Sequence, residues 1–186
     1  MKIRIVALLS LIAGSFAVAS CIDEDATDDV ILSNDKASIQ EYLNTNTLAN
    51  VKEYHDEVTG IRVIWQELSG SGLGVEAGDT LKIDYTGRLM SNKVFDTSLE
   101  QVAKDEGVYV ASRTYKPIEV PIGYGFLIPG FEVGISLMEK GDKATVLIPS
   151  LFAYGKQGTN GVVPIPSNAP ILFELELKEI TQGPQQ

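Results

Sequence analysis

The sequence is poor in the residue types that most enzymes use for nucleophilic, acid–base or metal chemistry. Its 186 residues contain one cysteine, Cys21, and one histidine, His55. A single cysteine excludes an internal disulfide framework, and a histidine without a neighbouring serine or cysteine argues against a hydrolase triad. The ligands of a metal site are missing, and no phosphate-binding glycine loop follows a predicted strand. We therefore expect no metal and no cofactor.

Positive charge is also scarce. The chain has 15 lysines and arginines against 25 aspartates and glutamates, which gives a formal net charge of −10. Such a surface repels phosphate backbones, so nucleic acid is excluded as a partner. The length suits one domain with short appendages, and the absence of a long heptad region favours a monomer.

Long apolar runs are confined to the N-terminus. A basic start and the run Ile5–Ala13 predict a secretory signal peptide over residues 1–20, because the run is too short for a comfortable membrane span. The segment Val18–Cys21 resembles a bacterial lipobox, in which the cysteine carries diacylglycerol and becomes the new N-terminus. The alternative is cleavage near Ala19 with an incidental cysteine.

Lipidation at Cys21 would attach the protein to a membrane of the cell envelope. We expect the outer membrane, with the domain facing the periplasm or the cell surface. Five carboxylates follow within residues 22–29, so residues 21–37 are predicted to be an acidic flexible tether. A capping-box pattern at Ser38–Glu41 predicts a short helix over residues 38–48, within an N-terminal helix and connector spanning 38–60.

Strand signals begin after this connector. In Thr80–Ser98, apolar residues alternate with polar ones up to Tyr85, and a polar turn leads to a second short strand. The stretch Ile171–Lys178 alternates as cleanly. Phe131, Ile135 and Met138 have helical spacing. The pattern predicts an α+β domain with an antiparallel sheet wrapped on one helix.

Six short motifs occur in the order found in one known family. They are Tyr85-Thr86-Gly87, Phe95-Asp96-Thr97-Ser98, Ile128-Pro129-Gly130-Phe131, Ala153-Tyr154-Gly155, Ile165-Pro166-Ser167-Asn168-Ala169 and Phe173-Glu174-Leu175-Glu176-Leu177. In combination they resemble the FKBP-type peptidyl-prolyl cis/trans isomerases. The resemblance covers residues 61–181 and implies a curved sheet of five to six antiparallel strands around one short helix. It also implies rotation of Xaa-Pro bonds in proline-containing polypeptides.

The resemblance also implies a set of site residues. Asp96, Tyr154 and Tyr85 would be catalytic, with the Tyr154 hydroxyl and the Ile128 main-chain N–H as donors to a substrate carbonyl. The substrate-binding walls would be Phe95, Leu127, Ile128, Phe131, Ile165 and Phe173. Judged singly, each phenylalanine fits a core position, Asp96 fits a cap or turn, and Tyr154 fits an ordinary loop.

This chain departs from the family pattern at the pocket. Phe131 stands where the family commonly has tryptophan, and Ile118 occupies an aromatic wall position. Residues 99–115 form an insertion in which a short helix stopped by Gly107 is predicted, and we expect the insertion to act as a flap near the pocket. Arg113, within it, is the candidate for the basic residue that steadies the aspartate in some relatives.

Three functions follow from these observations. The first is an exported, lipid-anchored isomerase that assists folding of envelope or secreted proteins. The second is a chaperone or adaptor that binds proline-containing peptides without useful turnover, an alternative kept open by Ile118 and Phe131. The third is an adhesin-like surface lipoprotein that uses the domain as a scaffold.

Overall fold

One antiparallel sheet organises the chain. The computed structural model describes residues 27–184. Its helices and strands are α1 (Asp28–Thr45), β1 (Lys52–His55), β2 (Arg62–Glu67), β3 (Thr80–Leu89), β4 (Val94–Thr97), α2 (Glu100–Asp105), β5 (Ile118–Pro121), α3 (Pro129–Ser136), β6 (Lys143–Ile148) and β7 (Ile171–Thr181).

The sheet has seven strands within the described residues, not the five or six that were predicted. Its order is β1-β2-β6-β7-β3-β4, and β5 pairs with the N-terminal half of β3. The additional strand is β1, which lies in the predicted connector and is exposed at all four positions. Because it buries neither face, it has no apolar alternation for a sequence pattern to reveal. Backbone pairing with β2 holds it in place.

The longest pairing joins β3 to β7. It extends from Thr80 opposite Thr181 to Leu89 opposite Ile171. Leu81 and Ile83 are fully buried, as their alternation predicts, while Lys82 between them is half-buried. Both strands lie inside the sheet, and two residues that line the candidate site, Tyr85 and Phe173, extend from them.

Helix α3 packs on one face of the sheet. Phe131 and Ile135 are buried there, and Met138 is buried in the turn just beyond the helix end. Two glycines on the helix, Gly130 and Gly134, face β6 so closely that a Cβ on Gly134 would lie 2.5 Å from Val146 Cγ2. The helix therefore lies against the sheet at a distance that only glycine permits.

Helix α1 is longer than the sequence predicted. It begins at Asp28, ten residues before the predicted start at Ser38, which instead lies inside the helix. The prediction of a flexible tether over residues 21–37 is therefore wrong from Asp28 onward. Asp28 and Asp29 lie in the first turn, where the positive end of the helix dipole favours carboxylates.

Tertiary contacts explain why the acidic segment folds. Asp35 is 3% exposed and accepts hydrogen bonds from the Ser150 N–H at 2.8 Å and from the Ser150 hydroxyl at 2.6 Å. Burial raises the pKa of Asp35, and the two bonds from Ser150 oppose that rise. Ile39 and Tyr42 pack on Ile64 of the sheet face opposite α3. Because these partners are distant in sequence, the local sequence pattern predicts that Asp35 is a solvent-exposed charge.

The N-terminal predictions fall largely outside the described residues. The signal peptide over residues 1–20, Cys21 and the tether up to residue 26 are not described. Among residues 27–184, no helix is long and apolar enough to cross a membrane.

We predict that Gly134→Ala destabilises the domain. The new methyl group would overlap Val146, and overpacking of a core costs about 1 to 3 kcal/mol. The higher helix propensity of alanine offsets at most about 1 kcal/mol of this loss of stability. Urea unfolding measures the difference. Gly74→Ala is the matched control, because a Cβ added there would have no other atom within 4 Å and its backbone is not in the left-handed region; equal stability of both variants would contradict the packing argument.

Candidate active site

A cavity of about 300 Å³ opens between α3, the sheet and the loops that follow β5 and β6. It is lined by Tyr85, Phe95, Asp96, Ile118, Phe126, Leu127, Ile128, Phe131, Tyr154 and Phe173. Eight of the nine residues predicted for the site lie around it. Its size and largely aromatic lining suit a small apolar ring with polar groups at the edge.

Strands on both sides of β3 supply two of the aromatic walls. Phe95 on β4 and Phe173 on β7 lie on either side of Gly87 on β3, which pairs with both strands. A Cβ on Gly87 would lie 2.5 Å from Phe95 Cε2 and 2.8 Å from Phe173 Cε1. The glycine of the Tyr-Thr-Gly motif thus leaves the space that both rings fill.

The aromatic rings hold one another edge to face. The Phe173 centroid lies 5.0 Å from that of Phe131, 5.6 Å from Phe95 and 5.9 Å from Tyr85. Tyr154 meets Phe95 at 6.5 Å with an interplanar angle of 88°. Such arrangements are favourable for aromatic quadrupoles, and each ring restricts the next. The cavity walls are therefore preformed.

A polar network lies at the edge of these walls. The Tyr85 hydroxyl donates to Asp96 Oδ2 at 2.6 Å and accepts from Arg113 Nη2 at 2.9 Å. Arg113 Nη1 also donates to Asp96 Oδ1 in an ion pair, and the Thr97 N–H donates to the same oxygen at 2.9 Å. The Asp96 carboxylate is thus oriented by three groups.

Burial, followed by the hydrogen bond to Asp96, raises the pKa of Tyr85 well above its ordinary value. Its phenol therefore stays protonated and remains a donor to the carboxylate. Tyr85 was predicted to be catalytic, but its hydroxyl is already engaged on both sides by protein groups. These two bonds hold the Tyr85 hydroxyl between Asp96 and Arg113.

Tyr154 differs from Tyr85 in this respect. Within residues 27–184 its hydroxyl makes no hydrogen bond, and the same holds for the Ile128 N–H at the N-terminus of α3. Burial and the negative charge of Asp96 raise the pKa of Tyr154, so its hydroxyl too stays protonated. The cavity therefore has two donors available for a carbonyl oxygen.

Comparison with known proteins identifies the family of this chain. Residues 73–178 match the family model described as FKBP-type peptidyl-prolyl cis-trans isomerase. The chain belongs to this family. The matched segment lies inside the predicted boundaries 61–181, and β2, which pairs with β6 in the same sheet, lies just before it.

Individual relatives are similar over about half of the chain. "FK506-binding protein 2" of Yarrowia lipolytica is 39% identical over 103 residues, covering 55% of this chain and 61% of the relative. "Short-type peptidyl-prolyl cis-trans isomerase" of Methanocaldococcus jannaschii is 40% identical over 92 residues, covering 50% of this chain and 58% of the relative. The chain thus spans about three fifths of the length of these two relatives.

Within this FKBP-type domain, the residues 99–115 form a packed segment. Helix α2 forms where a short helix was predicted, and Ala103 and Val108 are buried against Val94 and Val163. Toward its end the segment delivers Arg113 to Asp96. The expected flap is therefore anchored in a small core of its own, because its apolar residues find partners that the sequence pattern did not identify.

Two wall positions differ from expectation. Ile165 does not line the cavity; it is 4% exposed in the main core, and both its N–H and its carbonyl bond to Thr159. Phe126 lines the cavity although it was not predicted. The sequence feature that could have indicated Phe126 is its position, one residue before Leu127 in a glycine-rich stretch. Within residues 27–184, no cluster of three potential metal ligands occurs.

Proposed function

We propose that this chain catalyses cis/trans rotation of Xaa-Pro bonds in proline-containing polypeptides. The observation that carries the proposal is the preformed aromatic cavity of an FKBP-type domain, edged by donors that no protein acceptor uses within residues 27–184. Rotation breaks amide resonance against a barrier of about 18 to 20 kcal/mol. No proton needs to move between substrate atoms.

Each part of the site lowers this barrier in its own way. The walls remove water from the imide, whose planar ground state is more polar than the twisted state and loses more from desolvation. The proline ring packs against Phe131 and Phe173. The Tyr154 hydroxyl and the Ile128 N–H donate to the carbonyl oxygens of the bound segment.

Asp96 contributes a fixed charge. Its carboxylate is held at the cavity edge by Tyr85 and Arg113. A twisted imide loses nitrogen donation and has a more electron-poor carbonyl carbon, which a nearby negative charge favours. Because the charge is already oriented, it need not reorganise as the bond rotates.

The same cavity supports a second candidate, a chaperone or adaptor that binds proline-containing segments without useful turnover. Phe131 and Ile118 both line the cavity, so the smaller aromatic surface inferred from the sequence lies at the site itself. A protease-coupled isomerisation assay on a short Xaa-Pro peptide distinguishes the two. Peptide binding without acceleration would favour the binding protein.

We predict that Tyr154→Phe and Tyr85→Phe separate function from stability. Tyr154→Phe should lower kcat/KM about tenfold, the equivalent of about 1.4 kcal/mol, and change stability by less than about 0.5 kcal/mol. Tyr85→Phe should lower kcat/KM as well and cost about 1 to 3 kcal/mol of stability, because it removes a partly buried hydrogen bond to a charged group. Isomerisation and urea unfolding give both quantities.

The matched control for these variants is Tyr54→Phe, on the exposed strand β1 and away from the cavity. It should change neither measurement. Full activity of Tyr154→Phe together with a large loss of stability would show that Tyr154 has a structural role and contradict its role as a donor.

We predict that activity is nearly flat between about pH 6.5 and 8.5 and indifferent to EDTA. The pKa values of Tyr85 and Tyr154 are both raised, which moves their deprotonation further above the ordinary tyrosine value of about 10. Neither donor is then lost as the pH rises through neutrality. A bell-shaped profile near pH 7, or a loss in EDTA that zinc restores, would point to a titrating or metal-bound group.

We also propose that the protein is exported, anchored by lipid at Cys21 and active on polypeptides folding in the cell envelope. The support is the sequence pattern of residues 1–21, with a short apolar run before the sole cysteine. A diacylglyceryl group together with an N-acyl chain anchors stably, whereas one acyl chain does so marginally.

Cys21→Ala is therefore predicted to release the protein from the membrane fraction. Fractionation and the mass of the N-terminal peptide provide the measurement. An unmodified wild-type peptide, with unchanged partition of the variant, would rule out lipidation.

A further inference from the structure

Two exposed aromatic rings extend the cavity on one side. They belong to the segment Gly123–Phe126, here called the rim loop, which connects β5 to α3. Phe126 is 71% exposed and Tyr124 is 64% exposed, although both are large aromatic residues. Neighbouring exposed aromatics beside a cavity are typical of a surface that binds a partner.

The rim loop presents the rings from a fixed base. Gly123 and Gly125 have φ values of +89° and +71°, a conformation that side chains other than that of glycine rarely adopt. The Gly123 N–H donates to Glu132 Oε1 of α3 at 2.8 Å. The alternation of glycine and aromatic residues thus turns both rings outward from a backbone tied to α3.

The rings differ in their relation to the cavity. Phe126 lines the cavity, whereas Tyr124 does not. Their centroids lie 6.5 Å apart with an interplanar angle of 32°. In an extended polypeptide, side chains two residues apart point the same way and are separated by about 6.6 Å. The two rings therefore match alternate side chains of one extended segment.

We propose that the rim loop is a specificity subsite for extended polypeptides with large apolar side chains near the proline. The inference rests on the proposed function, since it assumes that the proline ring occupies the cavity. Most of Phe126 lies outside the buried walls, so it contacts the side chain next to the proline. Tyr124 then contacts the side chain at the third position from the proline, on the same side of the chain.

The small area of the two exposed rings favours an extended polypeptide over a second copy of the chain as the partner of the rim loop. An aromatic side chain buries about 150 to 250 Å², so the two rings together offer well below the roughly 800 Å² that each partner contributes to a stable interface. Continuity with the cavity ties the subsite to the polypeptide that enters it. One large apolar side chain of a bound segment is enough to cover each ring.

The test compares peptides that differ at one position. Each peptide has leucine or alanine at the third position before or after the proline, and kcat/KM is measured with full-length wild type and Tyr124→Ala. We expect wild type to prefer leucine on one side of the proline, and we expect Tyr124→Ala to reduce that leucine-to-alanine ratio about fivefold to tenfold. Tyr54→Ala, which removes a half-exposed tyrosine on β1, should leave the ratio at its wild-type value.

The outcomes separate this inference from the proposed function. Turnover of all peptides with the same ratio in wild type and Tyr124→Ala would overturn the subsite and leave the isomerase intact. If wild type turns over none of them, the isomerase proposal fails. The subsite is then tested by binding: the dissociation constants of the same labelled leucine and alanine peptides are measured, and their ratio is compared between wild type and Tyr124→Ala. Absence of binding, or an unchanged ratio, overturns it.

A membrane surface is the other occupant that the test must exclude. Vesicles of phosphatidylethanolamine and phosphatidylglycerol are added to the Cys21→Ala protein, so that lipid attachment does not contribute. Vesicle binding that is lost in Tyr124→Ala/Phe126→Ala, together with an unchanged peptide ratio, would assign the rings to lipid and overturn the proposal.

Discussion

The close contact between α3 and β6 is the constraint on which the site depends. Gly130 and Gly134 lie one helical turn apart and face Ile148 and Val146, where no side chain larger than hydrogen fits without movement. This contact lowers the helix onto the sheet and brings Phe131 against Phe173 at 5.0 Å. A helix held further out would separate these rings and open the cavity floor to water. The aromatic walls are thus a consequence of backbone approach as much as of aromatic residues.

The orientation of the Asp96 carboxylate at the cavity edge depends on a different part of the chain. Arg113 reaches Asp96 and Tyr85 from a segment anchored by Ala103 and Val108. The ion pair is partly exposed, so its contribution to stability is small, about 0 to 1 kcal/mol. Its effect is geometric, since it opposes rotation of the carboxylate away from the Tyr85 hydroxyl. The segment 99–115 therefore completes the network.

Sequence patterns predicted those parts of the molecule in which local chemistry and tertiary environment agree. The alternation of apolar and polar residues predicted β3 and β7. The six motifs predicted nine site residues, and eight of them line one cavity. The failures share a cause. Strand β1 buries no face, helix α1 uses Asp35 as a buried acceptor, and Ile165 belongs to the core. Only Asp35 has a partner remote in sequence, Ser150, whereas β1 pairs with nearby β2 and Ile165 bonds to nearby Thr159. In all three cases the tertiary environment decides the outcome, and the residue types alone do not specify it.

Helix α1 connects the N-terminal part of the chain to the loop that holds Tyr154. Asp35 binds the backbone and hydroxyl of Ser150, at the start of the 3₁₀ turn Ser150–Phe152, and Tyr154 follows two residues after that turn. Because the Asp35 carboxylate is buried, it has no water to replace Ser150 and holds the turn firmly. Tyr154 is therefore restrained from both sides, by its contact with Phe95 and by the turn that α1 fixes. A helix outside the family match thus supports the residue whose hydroxyl the proposed mechanism uses.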